Sequence, residues 1–193
     1  MIRILTAALT ALMLTALPAA AQKLSLGELS RYLNTVQSAQ SPFTQINADG
    51  TISTGTIYLK RPGKARFEYN PPDKSLVLAW SGAVYVFDKM SSQPDTYPLS
   101  QTPLSIILAR NVDLTRTGMV TRHSYDGTAT IVTAQDPQRP EYGSIQLKFT
   151  GNPTELRQWI ITDSNGQKTT VVLGGLTNTS LSNSVFNVRN VER

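Results

Sequence analysis

The sequence has no cysteine and a single histidine, His123, among its 193 residues. Without cysteine the chain can form no disulfide, thiol nucleophile or cysteine-bound zinc site. One histidine excludes a multi-histidine metal site and a two-histidine acid/base pair. The glycine-rich motifs that bind nucleotide phosphates are also missing. We therefore expect a protein that uses no metal and no cofactor.

Charged residues are scarce, at 16% of the chain, with 18 basic and 13 acidic side chains. So few charges are not typical of a disordered tail. The basic residues form no stripe with interleaved aromatics, which argues against nucleic-acid binding. Apolar residues make up 40% of the chain, enough for one domain with a core. We expect a folded monomer.

The longest apolar run lies at the N-terminus, from Ile4 to Leu17, after Arg3 and before Pro18 and three alanines. This order is typical of a secretory signal peptide. The run is shorter than the roughly 20 residues of a membrane-spanning helix. We expect residues 1–21 to be a signal peptide and residues 22–193 to be one domain exported to the periplasm.

Two helices are predicted. Ser25 and Glu28 have the spacing of a capping box, and apolar residues then recur at three- and four-residue intervals, so the first helix should run from about Ser25 to Ala39. The pair Ser41-Pro42 should end it. A second, short and apolar helix should follow Thr102-Pro103, with Thr102 as its N-cap.

Elsewhere apolar and polar residues alternate, and Gly, Pro, Asn and Asp mark turns about every eight to twelve residues. This rhythm predicts an antiparallel sheet of about ten strands. The concave apolar face of such a sheet must be covered, and the helices are available as a lid. The periodicity is compatible with an ordinary core and with a ligand-sized hollow under the lid.

The most specific pattern lies in residues 41–69. Ser41-Pro42-Phe43-Thr44-Gln45 is followed by a run from Gly55 through Lys60-Arg61-Pro62 to Phe67. This block resembles the F-x-Q … G-x-x-x-x-K-R-P-x-x-x-R-[FW] pattern of the LolA family, the periplasmic carriers of outer-membrane lipoproteins. The resemblance covers about residues 25–190. It implies a mainly β (α+β) fold: an unclosed antiparallel β-barrel, or strongly curved sheet, of about ten or eleven strands with a lid of short α-helices.

The resemblance also implies a function. The protein would act as a chaperone, without enzymatic activity, that carries acylated lipoproteins from the inner to the outer membrane. An inner-membrane ABC transporter of the Lol type would load it. An outer-membrane receptor lipoprotein of the LolB type is the candidate acceptor.

The resemblance assigns the role of lid latch to Arg61. Its guanidinium would donate to backbone carbonyls near Leu33 in the first helix and near Leu108 and Ala109 in the second. The chemistry is suitable because a guanidinium has five fixed donors and keeps its charge. Without the resemblance, an exposed arginine before a turn would be the simpler interpretation.

The candidate acyl-binding residues are the apolar residues that alternation places on the concave face, together with those of the lid. The sequence does not fix the strand register. The candidates are Leu29, Leu33, Phe43, Ile57, Leu59, Phe67, Tyr69, Leu76, Leu78, Trp80, Val84, Val86, Ile106 and Ile107.

Two other functions are compatible with the sequence. His123, Ser124 and Asp126 are the residue types of a secreted hydrolase, but neighbouring side chains on a strand point to opposite faces, and no G-x-S-x-G motif is present. Alternatively, the same fold could bind a lipid or lipoprotein as a signal and act as an envelope regulator. A second attached domain would favour that function.

Overall fold

The first helix of the computed structural model, α1 (Leu26–Thr35), begins as its sequence predicts. The structure describes residues 22–73, 75–88 and 93–188, so the predicted signal peptide lies outside the described residues. Ser25 Oγ accepts a hydrogen bond from the Glu28 backbone N–H, and the Glu28 carboxylate accepts one from the Ser25 N–H. This capping box satisfies two amides that the helix itself leaves unpaired.

The predicted end of α1 is wrong. The helix ends at Thr35, and strand β1 (Ser38–Ile46) contains the Ser41-Pro42 pair that was expected to stop the helix. Pro42 lies where the neighbour of β1 on one side changes from β12 (Thr177–Asn178) to β11 (Lys168–Leu173). A residue without a backbone N–H is tolerated where the ladder is interrupted.

Twelve strands, all paired antiparallel, form most of the regular secondary structure of the described chain. Besides β1, β11 and β12 they are β2 (Ile52–Lys60), β3 (Lys64–Tyr69), β4 (Leu76–Trp80), β5 (Ala83–Phe87), β6 (Asp95–Pro98), β7 (Val120–Tyr125), β8 (Thr130–Gln135), β9 (Ser144–Thr150) and β10 (Glu155–Thr162). The other elements are helix α2 (Leu104–Ile107) and 3₁₀-helices at Leu99–Gln101, Pro140–Tyr142 and Asn183–Phe186. In the described ranges, no helix is long and apolar enough to span a bilayer.

The sheet is open. Its strands follow the order β6-β5-β4-β3-β2-β1-β11-β10-β9-β8-β7, and β12 pairs with β1. β6 and β7 end this path, and no pairing between them is formed in the described part of the chain. The predicted mainly β, unclosed antiparallel architecture is confirmed, with one strand more than the upper expected number.

The sheet is also strongly curved. Phe67 on β3 and Trp159 on β10 are four strands apart, which in a flat sheet would be about 19 Å. Their ring centroids are nevertheless 6.3 Å apart in an edge-to-face contact. The two halves of the sheet therefore face each other across a concave surface, which we call the inner face.

The helices cover the inner face. Leu29 and Leu33 of α1, and Leu104, Ile106 and Ile107 of α2, belong to the same buried cluster as the inner-face strand residues. The prediction for the start of α2 is only partly right, because Pro103 rather than Thr102 is the N-cap. The Thr102 hydroxyl donates instead to the Leu99 carbonyl, at 2.9 Å, and closes the preceding 3₁₀-helix.

The Phe43 and Gly55 positions of the sequence pattern face each other in the sheet. They are register partners on β1 and β2. A Cβ on Gly55 would lie 2.0 Å from the Glu68 carbonyl oxygen and 2.8 Å from the Phe43 ring. Only glycine lets β3 and the Phe43 ring approach this closely.

Candidate functional site

Arg61 lies in the turn after β2, and only 8% of its surface is exposed. Its Nε donates to the Val36 carbonyl at the end of α1, at 2.9 Å. Its Nη1 donates to Asn34 Oδ1 at 3.3 Å and to the Ala109 carbonyl, just after α2, at 3.5 Å. One guanidinium therefore contacts both segments of the lid.

These acceptors differ from the predicted ones at two of three positions. The Leu33 carbonyl accepts from the Val36 N–H, because it still belongs to the closing turn of α1. The Leu108 carbonyl accepts from the Gly63 N–H at 2.8 Å. Of the three predicted acceptors, only the Ala109 carbonyl accepts from Arg61. The turn after β2 therefore binds the end of α2 in two ways, through the Arg61 side chain and through the Gly63 backbone N–H.

The guanidinium is buried without a carboxylate partner: in the described ranges no salt bridge includes Arg61. Burial lowers the pKa of Arg61. The side chain stays charged, since the ordinary pKa of arginine is far above neutral. Its charge is stabilised by backbone carbonyl oxygens at the ends of the two lid helices. These carbonyls have no hydrogen-bond donor within their own helix.

Asn34 is a functional candidate that the sequence analysis missed. Its side-chain amide donates to the Val112 carbonyl and accepts from the Val112 N–H, both at 2.9 Å. One turn earlier in α1, Ser30 Oγ accepts from the Leu114 N–H at 2.9 Å. The i, i+4 spacing of Ser30 and Asn34 was the available signal, because it places two short polar side chains on one face of the helix.

Replacing Asn34 by alanine should lower the free energy of unfolding by about 1–3 kcal/mol. The change leaves the N–H and C=O of Val112 without their partners, and it removes one acceptor of Arg61. Urea unfolding measures the loss. Asn70→Ala, at an exposed turn, is the matched control and should cost less than about 0.5 kcal/mol. An Asn34→Ala loss as small as that of the control would contradict the bridging role.

An open cavity of about 760 Å³ adjoins α2 on the inner face. It lies between β3–β6 on one side and the loops before β9 and after β10 on the other. Its volume is within the range of small-molecule sites, about 300–1,000 Å³. The apolar wall is formed by Phe67, Tyr69, Val77, Val84, Leu104 and Ile161, and polar residues at its edge include Gln101, Thr102, Glu141, Asp163, Ser164 and Asn165.

Three of the predicted acyl-binding residues, Phe67, Tyr69 and Val84, line this cavity. Val86 lies on the same face, opposite Val77, and is partly buried against the core. The remaining inner-face candidates pack against each other between lid and sheet: Leu29, Leu33, Phe43, Ile57, Leu59, Ile106 and Ile107. Beneath α1 the inner face is thus filled by the protein's own side chains.

The prediction of which β4 residues face inward is wrong. Val77 pairs with Phe67, and Ala79 pairs with Ala65, so the odd-numbered residues of β4 face inward. The predicted residues Leu76, Leu78 and Trp80 therefore lie on the opposite, outer face.

That outer face has its own cover. The 3₁₀-helix at Asn183–Phe186 contacts β3 and β4, and Arg66 Nη1 donates to the Val185 carbonyl at 3.1 Å. Phe186 is fully buried there. Leu76 and Leu78 are buried because of this covering segment and not because of the cavity.

Tyr69 is the polar member of the cavity wall. Its hydroxyl donates to Gln45 Oε1 at 2.8 Å, and its ring meets Phe43 edge to face, with centroids 5.3 Å apart. Burial raises the pKa of Tyr69 to about 12.

The Tyr69 pKa predicts a loss of stability at alkaline pH. An unfolded tyrosine loses its proton near pH 10, whereas folded Tyr69 keeps it to about pH 12. Between these values the folded state binds more protons, so the free energy of unfolding must fall as the pH rises. Tyr69→Phe should make this fall shallower in urea unfolding series. Equal slopes for the two proteins would contradict the assignment.

The hydrolase residues do not form a catalytic triad. His123 pairs with Val132 on the inner face, and its Nε2 lies 2.9 Å from the Leu24 carbonyl oxygen. Ser124 follows on the opposite face. The Asp126 carboxylate binds Lys148 at 3.0 Å and accepts from turn amides, which hold its pKa well below the usual range.

Comparison with known proteins agrees with this architecture. The sequence matches the family described as outer membrane lipoprotein carrier protein LolA over residues 34–189. It is 26% identical over 187 residues to the outer-membrane lipoprotein carrier protein of Cupriavidus taiwanensis, covering 90% of this chain and 87% of that protein. It is 30% identical over 170 residues to that of Chromohalobacter salexigens, covering 81% and 79%.

Among solved structures, a DUF1329 family protein from Desulfovibrio piger is similar in fold, with a TM-score of 0.51 at 14% identity over 86% of this chain and 96% of the other. The family match includes Arg61, its acceptors and every described strand. The chain therefore belongs to the LolA family of outer membrane lipoprotein carrier proteins.

Proposed function

We propose that this protein is a lipoprotein carrier that binds acyl chains at the inner face of its sheet. The observation that carries the proposal is the apolar-walled cavity of about 760 Å³, which lies beside a lid whose two segments both accept hydrogen bonds from Arg61. The names of its relatives, outer-membrane lipoprotein carrier proteins, support the same cargo.

The hydrophobic effect sets what such a carrier must do. Each methylene removed from water is worth about 0.8 kcal/mol, so one acyl chain of about 15 carbons represents on the order of 12 kcal/mol. No such molecule crosses water unshielded. A site that enclosed all of this area tightly would never release it, so the grip must be weak enough for a partner to compete.

The closed lid supplies a competitor for the cargo. Leu29 and Leu33 of α1 occupy the inner face and are 0% and 5% exposed. Acyl chains that enter beneath α1 must displace these side chains, which return when the cargo leaves. The protein's own packing therefore offsets part of the binding energy and favours release.

Arg61 acts as the latch of this cycle. The turn after β2 binds α1 and α2 together, through Val36, Asn34, Leu108 and Ala109. A small displacement of this turn would loosen both lid segments. The closed state then re-forms when the same carbonyls regain their donors.

The carrier would work in the periplasm after export directed by residues 1–21. It would receive lipoproteins from an inner-membrane ABC transporter of the Lol type and deliver them to an outer-membrane receptor of the LolB type. No step in this transfer requires a bond to be made or broken by the carrier.

Binding of acylated ligands tests the proposal. Purified protein should bind a fluorescent acyl probe, and a triacylated peptide should displace it, because both compete for the inner face. The unacylated peptide is the control and should not displace the probe. Undetectable binding of probe and triacylated peptide at tens of micromolar would overturn the proposal.

A further inference from the structure

One donor nitrogen of the Arg61 guanidinium has no acceptor among the described residues. Nε and Nη1 have protein acceptors, whereas Nη2 is buried and donates to no group of the described residues. Buried donors in folded proteins are nearly always paired, so we expect a water molecule, or a ligand group that displaces it, to accept from Nη2. Because Arg61 is only 8% exposed, this unpaired donor lies in the interior of the protein.

Apart from the oxygens that Nε and Nη1 contact, the side chains beside the guanidinium are apolar. A cavity of about 20 Å³ adjoins Arg61, and its other lining residues are Leu33, Val36, Leu59, Ile107, Leu108, Leu156 and Leu176. This volume accommodates about one water-sized group. A donor in so apolar a site binds an oxygen more strongly than it would in water.

The cavity borders the predicted path of acyl chains. Leu33 and Ile107 belong to the lid, whereas Leu59 and Arg61 belong to β2 and the turn that follows it. Movement of the lid would widen this space and leave the guanidinium beside the hydrocarbon-binding surface. The first polar atoms of a cargo lie where its acyl chains join the headgroup.

We propose that Arg61 Nη2 is the subsite for the ester carbonyl oxygen of a diacylglyceryl group on the cargo. This inference rests on the proposed carrier function. An ester carbonyl suits the site because it accepts without donating and carries no charge, so it enters apolar surroundings at lower cost than a carboxylate. The apolar residues would hold the chains while the guanidinium fixes where the chains begin.

A matched pair of neutral ligands tests the subsite: dioctanoylglycerol and its dioctyl ether, which has the same chains but no carbonyl. Displacement of the hydrocarbon probe diphenylhexatriene gives both affinities. The native protein should prefer the ester by about tenfold or more, as expected for a hydrogen bond from a charged donor. In Arg61→Met the preference should disappear while the ether still binds.

Arg157→Met is the control variant, because Arg157 is an exposed arginine that binds only a surface carboxylate, Glu155, among the described residues. It should keep the full preference for the ester, and circular dichroism should show all variants folded. Equal affinity of the native protein for ester and ether would overturn the inference and leave the carrier function standing. Binding of neither ligand would overturn both.

Discussion

Replacing Arg61 by leucine should speed amide hydrogen exchange in residues 25–39 and 103–110 by about tenfold or more. The variant loses the donors to Val36, Asn34 and Ala109 that join both lid segments to one turn. A hydrogen bond from a charged group contributes about 1.5–3 kcal/mol, and about 1.4 kcal/mol corresponds to a tenfold change in the opening equilibrium. Hydrogen exchange followed by mass spectrometry resolves these segments.

Local exchange is the decisive readout, because overall stability could change in either direction. Removing a buried charge in favour of an apolar side chain is often neutral or stabilising. Strand β8, which lies five strands from β2 in the sheet order, serves as the internal reference and should exchange at the native rate. Unchanged exchange in both lid segments would rule out the latch.

Replacing Val77 by tryptophan should weaken binding of an acyl probe by more than about tenfold. Val77 lies on the inner face of β4 and lines the large cavity together with Phe67 and Val84. An indole at this position would occupy the space that the chains require. Probe titration measures the effect, with circular dichroism to check the fold.

Val172→Trp is the matched control for this substitution. Val172 pairs with Thr44 on the outer face and is 39% exposed, so the same increase in side-chain size falls outside the cavity. Its affinity for the probe should equal that of the native protein. If the two tryptophan variants bound the probe equally well, the cavity would not be the binding site.

The strand pattern was predictable because most strands have one buried and one solvated face. β8 and β9 alternate without exception, and their turns carry the expected Asp, Gly, Asn and Pro residues. β4 is different, because the lid side covers one face and the 3₁₀-helix at Asn183–Phe186 covers the other. With apolar residues on both faces, the pattern could not decide whether Leu76 or Val77 points inward.

The lid was predictable in outline and not in its contacts. The capping box fixed the start of α1, whereas its end depends on how Ser38 and the following residues pair with β2 and β12, which no local pattern shows. Arg61 could be proposed only through the family resemblance. Asn34 was missed because a polar residue on an amphipathic helix is ordinarily solvated, and its partner Val112 is 78 residues away in the sequence.

Photo-crosslinking tests most directly whether acyl chains bind at the inner face. A diacylated peptide with a diazirine in one chain would be irradiated with the native protein, and the labelled residues located by mass spectrometry. The account predicts labels on cavity-lining residues such as Phe67, Val77 and Leu104. Labels confined to outer-face residues such as Ile52 or Val172 would contradict it.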